Sequence, residues 1–291
     1  MNTKNINAVK LSEFPSLFLK GIGQIMLQEN AITGLLFLIG IFYDSVTMGI
    51  AAVLGVVCGT ATSILLKFNK SEIDKGFYGF SAALVGVATI AFLKPEITSW
   101  LIIVVGSVLA TIIQYFFNKR KIPVFTLPFV LVTWLILFIA YNYFPEIILE
   151  SSVKSSSITD SITFAFKGFG QVIFQNNLVS GCLFFIAVFI SSPISALYGL
   201  AGAIASAVLA FLLSASINDI NLGLFSYNAV LGAIVFAGNK KSDGIWVLIS
   251  TVLSLIVSLI MLNFNLIQLT FPFVLASCVT ILFKKAVQKS N

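Results

Sequence analysis

No histidine occurs in this 291-residue chain, and only 10% of its residues are charged. Cysteine is down to three, Cys58, Cys182 and Cys278, each inside an apolar run. Each scarcity excludes a class of chemistry. Without imidazole there is no histidine relay for protons, and no paired-histidine conduit for ammonium. Three scattered cysteines give neither a disulfide framework nor a zinc site, so no metal and no cofactor is expected. The eleven acidic residues all fall at the ends of apolar runs or between them, with Glu29 and Asp44 nearest to apolar sequence. That leaves no buried carboxylate relay and no acidic ring for a cation pore. What is abundant is apolar. Hydrophobic residues make up 58% of the chain, 28 of them Phe, and the mean hydropathy is +1.05. Soluble domains run near ~45–50% apolar, so this chain holds more apolar surface than an aqueous fold can bury. A soluble α/β enzyme, a disordered tail and a nucleic-acid module are all excluded, and no nucleic-acid partner is expected. Lys and Arg outnumber Asp and Glu by 17 to 11, but they sit in short clusters between apolar runs, as in the loops of a helical membrane protein. The first twenty residues carry Lys4, Lys10, Glu13 and Lys20 without a compact apolar core, so no cleavable leader is expected. The fold class is all-α and integral to the lipid bilayer.

The chain is written twice. Gly21-Ile-Gly-Gln24 through Gly34 reappears as Gly168-Phe-Gly-Gln171 through Gly181, an offset of 147 residues. Gly76 through Leu84 returns as Gly223 through Leu231 at the same offset. Thr126-Leu-Pro128-Phe returns as Thr270-Phe-Pro272-Phe at 144, so three residues are missing late in the second copy. The two repeats are set at 1–147 and 148–291, joined by a polar hinge at 145–167.

Each copy holds six apolar segments, near 12–28, 31–43, 46–66, 76–93, 98–117 and 123–144, then 164–175, 178–190, 193–213, 223–238, 245–263 and 268–283. The fourth of each copy is short, opens with glycine and is flanked by charge. It reads as a half-spanning re-entrant pore helix, which is tolerated only where it lines a cavity. Five spans per copy is an odd number, so the second copy is inverted. The inside cations are then Lys4, Lys10, Lys20, Lys119, Arg120, Lys121, Lys240, Lys241, Lys284, Lys285 and Lys289. Those outside are Lys67, Lys70, Lys75, Lys94, Lys154 and Lys167. Eleven against six follows the positive-inside tendency, with the Lys67–Lys75 cluster out of step. Inverted repeats with matching interrupted helices place a substrate path at the pseudo-two-fold axis.

The residues recurring at that axis are uncharged. Gln24 and Gln171 either cap helix ends and bridge helices or face the path. Phe80 and Leu84, like Tyr227 and Leu231, are four apart and share a helix face, as a packing pair or as a wall. Thr126 and Thr270 each stand two residues before a Pro, as breaks in half-helices (the reading favoured here) or as ordinary helix starts. The ridge Ala51, Gly55, Gly59, Ser63 and its echo Gly199, Ala203, Ala207 serve close helix packing. Such a lining suits a small neutral polar solute and offers no ion coupling.

Taken together, the paired G-x-G-Q blocks, the two glycine-led aromatic segments and the two T-[LF]-P-F blocks resemble the urea transporter family, in the form of its bacterial-type channels. The likeness spans nearly the whole chain in both copies. It implies a passive, channel-like path through each protomer of a homotrimer, multi-pass in the plasma membrane (the inner membrane of a two-membrane cell), with both termini cytoplasmic. By resemblance, Phe80, Leu84, Tyr227 and Leu231 form a slot for a flat solute, Thr126 and Thr270 are central hydroxyls, and Gln24 and Gln171 are polar contacts at its two mouths. Two positions depart from the pattern. Leu27 stands where the family carries an aromatic, which its counterpart Phe174 keeps, and Tyr227 adds a hydroxyl opposite Phe80. Urea itself is planar, with two NH₂ groups and one carbonyl. Burying an amide-like group unpaired costs roughly 2–7 kcal/mol, so a ladder of oxygens must replace its water while apolar walls sandwich its faces. Affinity is expected to be millimolar or weaker. Other small neutral solutes (water, ammonia, short amides) and, third, an ion-coupled transporter are the competing readings.

Overall fold

A computed structural model describes residues 14–149 and 163–290, the side chains of the last two excepted. Lys4, Lys10, Glu13, Lys154, the Lys289 side chain and 150–162 of the expected hinge lie outside the described residues. The first copy contributes α1 (Phe14–Gly23), continued by a 3-10 turn at Gln24–Met26, then α2 (Ala31–Asp44), α3 (Val46–Leu65), α4 (Lys70–Asp74), α5 (Phe80–Phe92), α6 (Ile97–Lys119) and α7 (Leu127–Tyr143). The second gives α8 (Phe164–Gln171), α9 (Leu178–Ser191), α10 (Pro193–Leu212), α11 (Ile217–Asn221), α12 (Tyr227–Phe236), α13 (Lys241–Asn263) and α14 (Phe271–Ser290).

The repeat reaches down to single dihedrals. Non-glycine residues with left-handed backbone come in pairs: Leu27 with Phe174, Lys67 with Ser214, Lys121 with Asn265 and Phe125 with Leu269. A β-branched or bulky residue rarely adopts that conformation, so its recurrence marks turns both copies need. Capping recurs too. Asn30 and Asn177 accept from backbone N–H groups at the starts of α2 and α9, and Ser45 and Ser192 do the same for α3 and α10. The three missing residues can be located. α5 has 13 residues and α12 has 10, and the two later helices, α13 and α14, start 144 residues after α6 and α7.

Reciprocal bonds join the copies. Thr33 Oγ1 donates to the Ala187 carbonyl at 2.9 Å, and Ser180 Oγ donates to the Gly40 carbonyl at 2.8 Å. Thr33 corresponds to Ser180 and Gly40 to Ala187, so the contact is isologous, the signature of a two-fold. Phe37 and Phe184, also counterparts, meet edge to face at 5.1 Å between centroids. Residue 33 faces 187 while 40 faces 180, so α2 and its counterpart α9 run antiparallel.

Among the described residues, five helices are long and apolar enough to cross a membrane unaided: α3, α6, α10, α13 and α14. At 1.5 Å per residue, α3 spans about 30 Å, one hydrocarbon core. The shorter apolar helices are α5, α7, α9 and α12, and of these α5 and α12 are buried along almost their whole length. Close approach of α3 and α5 explains the small-residue ridge. A Cβ on Gly55 would lie 2.4 Å from the Ala82 carbonyl oxygen, and one on Gly59 2.5 Å from that of Tyr78.

The interrupted segment is a different one from that expected. α1 and its turn bend by 76° against α2, and Lys20 of α1 pairs at 3.9 Å with Glu29 just before α2, so the first segment is broken ahead of α2 and is not one straight span. α5, by contrast, starts at Phe80 near the Lys20 end and finishes beside Ile147 and Ile148, past the far end of α7. This also corrects the charge bookkeeping. Lys20 Nζ donates to the Asp74 carbonyl, Lys121 and Lys285 share a depression with Glu72 and Phe77, and Lys284 pairs with Asp243 at 3.6 Å. The Lys67–Lys75 cluster therefore lies at the same end as Lys20, Lys119–Lys121, Lys240, Lys241, Lys284 and Lys285. Of the described cations, Lys94 and Lys167 are left at the other end. The start of the expected hinge is ordered as well: Lys94 N donates to the Ile147 carbonyl, Leu149 N to that of Phe92, and Ile147 is buried.

Candidate functional site

Two cavities open at opposite ends of the bundle. The first, about 150 Å³, is lined by Gln24, Leu27, Phe80, Gln114, Asn118 and Phe125, and reaches Thr126. The second, about 390 Å³, is lined by Phe92, Gln171, Phe174, Tyr227, Gln268 and Leu269, and reaches Thr270. The two threonines, 3% and 2% exposed, meet in the middle: their Oγ1 atoms are 2.6 Å apart in a mutual hydrogen bond.

The local sequence builds this meeting point. Phe125 and Leu269, with φ of 48° and 45°, turn the chain into α7 and α14. Thr126 is the N-cap of α7, and Thr270 precedes the first residue of α14. Pro128 and Pro272 fall at the second helical position, where the absent N–H is an orphan in any case. Both threonines are thus helix starts, placed deep in the bundle, and not breaks within a helix. Two helix N-termini converge on the pair, and their partial positive charge opposes cations while favouring a solute carbonyl oxygen.

The glutamines serve two purposes. Gln24 Nε2 donates to the Lys75 carbonyl and Gln171 Nε2 to that of Leu222, each at 2.9 Å; Gln171 also donates to Asn176 Oδ1. Each strut ties the first segment of its copy to the residue before a motif glycine, Gly76 or Gly223, both at φ 78°. A Cβ there would sit 2.5 Å from Gly21 N or 2.6 Å from Gly168 N, so glycine is required on both counts. The helix-bridging alternative holds, and both side chains also line the cavities.

Of the remaining candidates, Phe80 and Leu27 reach the first cavity and Phe174 and Tyr227 the second. Leu27 is 38% exposed, whereas Phe174 packs edge-on against Phe92 and Phe129 at 5.9 and 6.3 Å. Leu84 and Leu231, 0% and 1% exposed, lie in the central core and line neither cavity. Sequence reasoning noted the Tyr227 hydroxyl but passed over Gln114, Asn118, Gln268 and Asn228. Gln114 Nε2 donates to Asn118 Oδ1 at 2.9 Å on the wall of the first cavity. In the second, Gln268 Oε1 is buried without a partner, Tyr227 Oη donates to the Leu269 carbonyl at 2.7 Å, and Asn228 Nδ2 reaches the same oxygen at 3.4 Å. None of these recurs in the other copy, so a search keyed to repetition could not find them. Among the described residues, Asp219 is the one acidic residue in either lining, half-buried on α11. Among the described residues no group of acidic or cysteine side chains is placed to hold a metal ion.

Comparison with known proteins agrees with this architecture. Residues 16–285 match the family described as "UT: Urea transporter". The chain is 30% identical over 243 residues to "Urea transporter 1" of Rattus norvegicus, 29% to that of Mus musculus and 27% to that of Capra hircus. Each alignment covers 78% of this chain and 63% of the relative, so the chain spans less than two thirds of their length. With nearly the whole chain matched, it belongs to the urea transporter family.

Proposed function

We propose that the chain conducts urea passively across the membrane, through a path running from the Gln24 cavity past Thr126 and Thr270 to the Gln171 cavity. The observation that carries this reading is the hydrogen-bonded threonine pair, reached by one cavity from each end of the bundle. A urea molecule arriving there exchanges water for hydroxyl oxygens and, on the first side, for the carbonyl of Phe125. Aromatic rings at Phe80, Phe174 and Tyr227 cover its faces. An ion finds no counter-charge at the centre and meets a far larger desolvation cost. Two inverted copies, 1–147 and 148–291, support the path by symmetry, with five crossings each and the first segment interrupted. The cation-rich end that holds Lys20 and Lys121 is taken as cytoplasmic, in the plasma or inner membrane. A homotrimer with one path per protomer follows from the family resemblance.

Stopped-flow shrinkage of proteoliposomes under a urea gradient tests the reading. Protein-dependent, saturable urea flux that ignores imposed proton and sodium gradients is expected; flux that follows either gradient would favour a coupled transporter. Leu27, in place of an aromatic, softens one wall and favours passage of other short amides. Formamide, acetamide and glycerol in the same assay measure that breadth.

A further inference from the structure

The two mouths offer a solute different acceptors. In the first, no described side chain donates to the Phe125 carbonyl: Phe80 has no hydroxyl, and Ser81 Oγ turns to Gln114 Oε1 at 3.4 Å. In the second, the corresponding Leu269 carbonyl is already taken by Tyr227 Oη and approached by Asn228 Nδ2. Asn228 is itself held in place, its Oδ1 accepting from Phe273 N at 3.2 Å. Beside this occupied oxygen stands Gln268, where the first copy has Val124, and its buried Oε1 accepts nothing from the protein. A buried acceptor without a donor is costly, and this one belongs to a residue lining the cavity.

Resting on the urea-conducting reading above, we propose that Tyr227 and Gln268 together reassign the acceptor of the second mouth: the phenol seals the Leu269 carbonyl, and Gln268 Oε1 receives the solute N–H in its place. Selectivity at this end then depends on a side-chain amide, where the first end uses backbone. The ligand class is a small primary amide with N–H donors.

The test is stopped-flow permeability to urea and formamide in proteoliposomes of the wild-type protein, Gln268→Leu, Tyr227→Phe and the double variant. Gln268→Leu is expected to lower urea permeability about three- to ten-fold, the worth of one net hydrogen bond. Adding Tyr227→Phe removes the shorter of the two hydrogen bonds to the Leu269 carbonyl, leaving only the 3.4 Å approach of Asn228, and restores flux towards the wild-type value, a rescue that a purely structural role for either residue would not give. Unchanged flux in Gln268→Leu, or no rescue in the double variant, overturns the proposal. Should Gln268→Leu fail to elute as a folded species, Tyr227→Phe alone decides: a rise in urea permeability supports it, and no rise overturns it. A wild-type protein that conducts neither solute instead defeats the functional reading, and this inference with it.

Discussion

The two mouths share a backbone and differ in their side chains. Both have a glutamine strut to a carbonyl, a glycine at φ 78°, and a left-handed residue one position before the central threonine. Yet the first carries Leu27, Phe80, Gln114 and Asn118 where the second carries Phe174, Tyr227, Ser258 and Leu262. Symmetry is kept where the chain must turn and where the copies touch on the axis. It is relaxed on the cavity walls, which each copy fits to its own end. Backbone geometry and wall chemistry are thus carried largely by different residues, with the two glutamines serving both.

The sharpest way to break the shared part is at the axis. Thr126→Val with Thr270→Val removes both central hydroxyls at nearly constant volume. Losing an oxygen from the dehydrated step costs about 1–3 kcal/mol, so urea permeability is expected to fall ten- to a hundred-fold with normal membrane insertion; each single variant gives part of that loss. Gly76→Ala and Gly223→Ala attack the shared backbone instead. A Cβ in left-handed backbone costs about 1–2 kcal/mol per residue, and the clash with Gly21 or Gly168 adds to it, so both are expected to lower the melting temperature and the yield by similar amounts. A large gap between the two would mean the copies are less alike than their dihedrals. Gln24→Ala and Gln171→Ala come next. Each removes a strut and a mouth contact, with a few-fold loss of urea flux, larger for Gln171, which holds two partners. Smallest is Leu27→Phe, which makes the first mouth resemble the second; it is expected to narrow the ratio of acetamide to urea permeability, read in one vesicle preparation.

Much of this was legible in the sequence. The membrane class followed from composition, and the threonine and glutamine pairs from the repeat. Which segment is broken was not. Residues 12–28 read as a span because apolar length is all a window measures, while the break falls at Leu27, an apolar residue in left-handed backbone that composition does not mark. The Lys67–Lys75 cluster stood out for that reason alone, and it joins the cation-rich end once α5 crosses. Leu84 and Leu231 show the converse limit: a shared helix face says nothing about whether that face meets a cavity or the core. Gln268 and Asn228 were invisible to any argument from repetition, since they differ between the copies.

The central claim is that the two threonines close one passage from opposite sides. Cysteines at positions 126 and 270, in a protein whose Cys58, Cys182 and Cys278 are replaced by alanine, test it most directly. With side-chain oxygens 2.6 Å apart, Thr126→Cys and Thr270→Cys are expected to form a disulfide under mild oxidation. That bond should shut urea flux, and a reductant should reopen it. A disulfide that forms while flux continues unchanged would contradict the account.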